Sequence, residues 1–113
     1  DIYATNGTIQ TSDRNEKENI LSTDLGLELI NQLTPKKYSR IGGKRTHYGL
    51  IAQDVEEVLK GKDFAGHIKI TYEVEETGKE KTRHGLRYDE FIGPMIKAIQ
   101  ELSEQVEQLK AVT

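Results

Sequence analysis

The stretch IGPMIKAIQELSEQVEQL, Ile92 to Leu109, decides how the rest of the chain is read. Ile92, Ile99 and Val106 fall at one position of a seven-residue repeat, and Met95, Leu102 and Leu109 at the other. That alternating spacing is the seam of a coiled coil, with Pro94 near the helix start, where its missing N–H costs little, and Asp89 expected as the cap. A helix this short is marginal alone, so its seam has to pack on something. It can lie on its own domain or meet other copies. The stripe runs almost to the terminus with no further element in the chain to cover it, which favours copies. β-branched residues followed by Leu favour two strands, whereas Ile96 and Ala98 widen the stripe and suit three. The pattern alone leaves the number open.

Upstream, Ile68 to Arg87 carries the clearest strand signal. Ile68, Ile70, Tyr72 and Val74 alternate with Lys69, Thr71, Glu73 and Glu75, and Thr77-Gly78-Lys79 marks the turn. A three-residue loop would pair Ile70 with Leu86 and Tyr72 with His84 on an apolar face. It would set Glu73 opposite Arg83 and Glu75 opposite Lys81 on a polar face, each ion pair contributing roughly 0.2–1 kcal/mol. A two-residue loop would instead place Tyr72 against Arg83 and Val74 against Lys81. Side-chain matching favours the three-residue loop, although Gly78 is not in its usual last position.

Further upstream, Thr23 or Ser22 is expected to cap a helix whose stripe is Leu25, Leu29, Ile30 and Leu33, ended by Pro35. Lys37–Ile41 and Thr46–Ile51 read as strands around a Gly42-Gly43 turn. Ala52–Leu59 reads as a second helix with Val55, Val58 and Leu59 inward, closed by Gly61. The predicted class is therefore α+β: a small mixed domain of short helices with a β-hairpin arm, closing in a long C-terminal coiled-coil helix. Residues 1–11, with Asn6-Gly7 as a turn signal, build no core and read as the end of whatever precedes. The expected division is 1–11, a core over 12–88 with the arm at 68–87, and the helix over 89–113.

Composition narrows the function classes. The chain has 113 residues, no cysteine and a formal net charge of −3. Disulfide scaffolds and cysteine zinc sites are excluded, and there is no basic footprint for nucleic acid. No apolar run reaches the ~20 residues that span a bilayer. Hydrophobic residues make up 35%, enough for a modest core only, so assembly with other chains is expected.

Three groups of residues are candidates for chemistry. His47, His67 and His84 have no metal-ligand spacing and read as ordinary surface or core histidines; neither a metal nor another cofactor is expected. The glycines form no phosphate-binding loop. The third candidate is Ser12 with Lys17. A serine becomes nucleophilic when a base takes its proton, and a lysine is a base only when neutral. Burial and the neighbouring Arg14 favour the neutral amine; Asp13, Glu16 and Glu18 oppose it. By spacing alone the pair carries little information.

Its wording carries more. Ser12-Asp13-Arg14-Asn15-Glu16-Lys17-Glu18-Asn19-Ile20 resembles the S-D-x-R-x-K-x-x-I opening of the S74 peptidase family, the intramolecular chaperone domains that end phage tail fibres, endosialidase tailspikes and neck appendages. LELINQLTPKKYS (27–39) resembles that family's helix, proline and strand. His47-Tyr48-Gly49-Leu50-Ile51-Ala52-Gln53-Asp54-Val55 is similar to its H-x-G-[LF]-I-A-Q-[ED]-V signature, and Leu86-Arg87-Tyr88-Asp89 through Leu109 to its closing helix. Asn15 stands where the family has arginine, and Glu16 where it has an apolar residue.

The resemblance implies a homotrimer whose only partners are its own copies and the upstream spike or fibre body of the same polypeptide. It implies a chaperone that promotes trimerisation of that body, then releases itself by cutting between Thr11 and Ser12. Ser12 would be the nucleophile and Lys17 the base, with Asp13, Arg14, His47 and Gln53 in support. The setting implied is the host cytoplasm during virion assembly, with the domain shed from the mature virion. The arm at 68–87 would either embrace the spike as it folds or serve as simple edge structure packed on its own domain. The alternative of another class is a non-catalytic trimeric coiled-coil module, with Ser12 and Lys17 as plain loop residues.

Overall fold

The short apolar stripes of this chain give short elements, which the computed structural model describes over residues 10–112. A 3₁₀ turn at Arg14–Glu16 is followed by α1 (Leu27–Gln32), β1 (Lys36–Tyr38), β2 (His47–Gly49) and α2 (Ala52–Leu59). Then come β3 (His67–Glu73), β4 (Glu80–Leu86), a second 3₁₀ turn at Tyr88–Phe91 and α3 (Ile92–Val112). The class is α+β, with two separate antiparallel hairpins and a long closing helix. The expected turn at Asn6-Gly7 lies outside the described residues.

Leu29 of α1, Val55 and Leu59 of α2 and Phe91 form the buried cluster. Leu25, Leu33, Leu50, Val58, Phe64 and Leu86 pack around it. Phe64 meets Phe91 edge to face with ring centroids 5.1 Å apart, the geometry that aromatic quadrupoles favour. Tyr88 ties the residue after β2 to the second 3₁₀ turn: its hydroxyl accepts from the Leu50 N–H at 3.0 Å and donates to the Leu50 carbonyl at 3.3 Å. The core is small for the chain. The radius of gyration is 18.5 Å, against about 13 Å for a compact domain of this length, because an arm and a helix project from it.

α2 has the predicted limits, and the strands of the first hairpin are shorter than expected. The cap of α1 is a correction. Thr23 does not cap it: its hydroxyl is spent on a local turn, accepting from the Leu25 N–H at 3.0 Å. Gly26 occupies the cap position, and the Leu27 N–H is satisfied by Glu101 Oε1 of α3 at 3.1 Å. A helix too short to cap itself borrows a carboxylate from its neighbour. Asp89 is likewise not a cap; it lies within the second 3₁₀ turn and accepts from the Gln10 side-chain amide.

The register of the β3–β4 hairpin is the larger correction. Ile68 faces Gly85, Ile70 faces Arg83, Tyr72 faces Lys81 and Glu73 faces Glu80. Neither register weighed from the sequence forms, and the ion pairs Glu73–Arg83 and Glu75–Lys81 are not made. Turn chemistry prevailed over side-chain matching. The Val74 N–H donates to the Lys79 carbonyl at 2.8 Å, and the loop between them ends on Gly78 at φ +67. Gly78 thus fills the left-handed last position that a longer loop reserves for glycine. The resulting slip is odd in number, so every β4 side chain changes face relative to β3. Burial falls from the root of the hairpin to its tip, where Ile70 and Tyr72 are exposed.

α3 presents two faces. Pro94 and Ala98 are buried, with Lys97 and Glu101 half-buried beside them, and this face packs on α1. The seam Ile92, Met95, Ile99, Leu102, Val106 and Leu109 lies roughly 90° round the helix, at about 100° per residue, and is exposed throughout. The domain's own packing therefore uses a face other than the heptad seam.

Candidate active site

The Ser12–Lys17 loop is built by local hydrogen bonds. Asp13 precedes a single 3₁₀ turn and its carboxylate accepts from the Asn15 N–H at 2.9 Å, a common role for a short acid at such a start. The Glu16 N–H reaches the Asp13 carbonyl, and the Lys17 N–H the Arg14 carbonyl, each at 3.1 Å. This turn folds the chain back so that Lys17 Nζ donates to Ser12 Oγ at 2.7 Å. Asn19 then takes a left-handed conformation at φ 54, which asparagine tolerates better than most residues.

Among the described residues no carboxylate forms an ion pair with Lys17, so the neighbouring Glu16 does not hold the amine. The whole loop is open to solvent, including Ile20 and Leu21, whose side chains are 52% and 86% exposed. The Ser12–Lys17 hydrogen bond is thus made within one chain, and among the described residues the loop that carries it is exposed throughout.

The loop is pinned at both ends to the terminal helical segment. Gln10 bonds to Asp89 just ahead of α3. On the other side Lys97 donates to the Thr23 carbonyl at 2.7 Å, and Glu101 holds Leu27. The sequence reading missed Lys97 and Glu101. The signal was there in two charged residues four apart on the flank of a seam, a pattern that usually means only a solvated face.

The supporting residues divide. Asp13 and Arg14 belong to the loop, through its cap and its backbone. His47 and Gln53 form no hydrogen bond or ring contact with the dyad. His47 stacks on Tyr38 at 5.7 Å, its cross-strand partner, and Gln53 lines a depression with Tyr38, Arg40, His84 and Tyr88. Packing of the first hairpin and α2 accounts for both.

Fold and loop together give a small α+β domain with a hydroxyl–amine pair on its surface. The family described as chaperone of endosialidase, peptidase S74, has a model that matches residues 12–65, and it is the family that the sequence motifs resemble. The matched segment contains both the Ser12–Ile20 and the His47–Val55 motifs; it stops before the β3–β4 hairpin and α3. No curated protein and no solved structure matches the chain. Among the described residues no helix is long and apolar enough to cross a membrane.

Proposed function

We propose that this chain is an intramolecular chaperone that assembles as a homotrimer, promotes folding of an upstream spike or fibre body, and releases itself at Thr11-Ser12. The observation that carries the reading is the 2.7 Å bond between Lys17 Nζ and Ser12 Oγ, at the point where the family match begins. The exposed seam supports assembly. An apolar groove of about 330 Å³, lined by Ile30, Leu33, Pro35, Leu50 and Phe91, reaches seam residue Met95 and extends that surface onto the domain, where a second copy would dock.

The chemistry is an acyl shift followed by hydrolysis. Neutral Lys17 takes the Ser12 hydroxyl proton as Oγ bonds to the Thr11 carbonyl carbon. The Thr11–Ser12 C–N bond then breaks, the proton passes to the departing Ser12 amine, and Thr11 is left as an ester on Oγ. Water hydrolyses that ester and restores the hydroxyl. Nucleophile and carbonyl are adjacent in the chain, so proximity is nearly complete before assembly. A single cut within minutes to an hour requires a barrier of only about 21–22 kcal/mol. The missing ingredient is desolvation of Lys17, which a neighbouring copy covering Ile20 and Leu21 supplies. Cutting then reports assembly. The arm, with Ile70 and Tyr72 exposed, lies against the folding spike.

Intact-mass measurement during refolding tests this. Fragments 1–11 and 12–113 are expected from the wild-type chain and not from Ser12→Ala or Lys17→Met, both of which keep their oligomeric mass. A fully assembled wild type that stays whole, or equal fragmentation of Ser12→Ala, leaves only the non-catalytic module. A concentration series separates the steps: cleavage at an unchanged first-order rate in a monomer removes the dependence on assembly.

A further inference from the structure

The odd slip of the hairpin has a chemical consequence. In the register favoured by side-chain matching, His84 lies on the face opposite His67. In the observed register His84 faces Lys69 and shares a face with His67 at the root of the arm. Their Nε2 and Nδ1 atoms are 3.2 Å apart, and both rings are half-buried. Glu56 of α2 comes to the same point: one carboxylate oxygen and the two imidazole nitrogens all lie within 4.8 Å of one another.

We propose that Glu56, His67 and His84 form a site for a divalent transition-metal ion of the Zn²⁺ type, which staples the root of the arm to α2. Two nitrogens about 2.0–2.1 Å from a tetrahedral ion stand about 3.3–3.4 Å apart, so the imidazole pair is already at ligand spacing. Without an ion, that spacing is a hydrogen bond in which one ring donates and the other accepts. Two imidazoles with one carboxylate suit Zn²⁺ or Co²⁺, and one carboxylate is too few for Ca²⁺ or Mg²⁺. An open depression of about 220 Å³ lined by Glu56, His67, Leu59 and Lys62 admits the ion and the water that completes its coordination. The competitor is Lys69, whose Nζ lies 3.7 Å from Glu56 Oε2 with both side chains largely exposed. Such an exposed pair contributes little and yields readily to a divalent ion.

The three ligands come from three elements. His67 opens β3, His84 lies near the end of β4, and Glu56 lies in the middle of α2. An ion there fixes the angle at which the arm leaves the domain, while the tip remains free. The inference does not depend on the Ser12–Lys17 chemistry.

Titration of the purified chain with Zn²⁺ tests it, with Co²⁺ as a spectroscopic probe and the imidazole signals of the wild-type protein followed by NMR. One ion per chain is expected, with the His67 and His84 signals moving together and His47 unmoved. Tetrahedral Co²⁺ absorption is expected, as is a higher Tm at roughly 100 times Kd of Zn²⁺. His67→Gln and His84→Gln should each weaken binding by about 100-fold or more, and Glu56→Gln by at least about tenfold. Wild-type binding no tighter than about 1 mM, movement of the His47 signal alone, or wild-type affinity in the histidine variants overturns the site. Wild-type affinity in Glu56→Gln overturns the staple to α2. Because the NMR and Co²⁺ readouts use the native chain, a variant that fails to fold does not protect the proposal.

Discussion

On one face of α3, Pro94 and Ala98 are buried and Lys97 and Glu101 reach across to Thr23 and Leu27. On the other, Ile92, Met95, Ile99, Leu102, Val106 and Leu109 stand 43–68% exposed. The covered face is made of small or polar residues, and the open face of large aliphatic ones. A helix that served only its own domain would show the reverse, since burial of apolar area is the main source of stability. Small residues let α1 approach α3 closely, while the large aliphatic side chains stand on a surface that the described residues leave uncovered.

The sharpest way to break this contrast is to charge the open face. Ile99→Asp with Leu102→Asp should abolish assembly altogether, since each apolar seam residue is worth about 1.5–3 kcal/mol when buried and the loss recurs in every copy. Sedimentation should then give the mass of one chain, and self-cleavage should stop with Ser12 and Lys17 unchanged. An unaltered oligomer would show that the seam is not the interface.

Enlarging the covered face should act on the fold instead. Ala98→Leu overfills a site that is 4% exposed, and should cost about 1–3 kcal/mol while leaving the seam intact. A lower Tm with the same oligomeric mass is the expected pair of results. Gly26→Ala attacks the same contact from α1. A Cβ there overlaps Glu101 Oε1 and comes within 3.0 Å of the Lys97 methylenes. Loss of the borrowed cap should cost about 0.5–2 kcal/mol. Cleavage should slow because Thr23, downstream of the dyad, loses its tether to Lys97; cleavage at the wild-type rate would show that the tether does not position the loop.

The sequence was most legible where one physical rule acts alone. The repeat at Ile92–Leu109 marked α3 because seam spacing and helix period agree, and Ala52–Leu59 was read to the residue. It was least legible where two rules compete. At the hairpin, Glu73–Arg83 matching opposed the left-handed demand at Gly78, and the backbone demand prevailed. At α1 a local turn captured Thr23 and a distant glutamate took its place, which no local pattern encodes. The Ser12–Lys17 pair gained its weight from family wording, since five-residue spacing is commonplace. The imidazole pair was hidden by the misread register itself.

The smallest expected effect concerns the ion pair that ties the dyad segment to the loop after α2. Lys62 Nζ donates to Asp24 Oδ2 at 3.1 Å, and this bond holds the Asp24 carboxyl below the usual carboxylate range. The folded-state pKa is therefore lower than that of the unfolded chain, about 3.9. The contribution is fully present above that value and disappears as pH falls through the folded pKa. Both side chains are largely exposed, so solvent and salt screen the pair and its effect is slight. Asp24→Asn should melt marginally below wild type at neutral pH and low salt, and the two curves should merge in strong acid or in 1 M salt. A gap that persists in strong acid would show that Asp24 stabilises the segment through packing or its backbone, with the charge irrelevant. The same variant should leave oligomeric mass untouched, because it changes no residue of the exposed α3 seam.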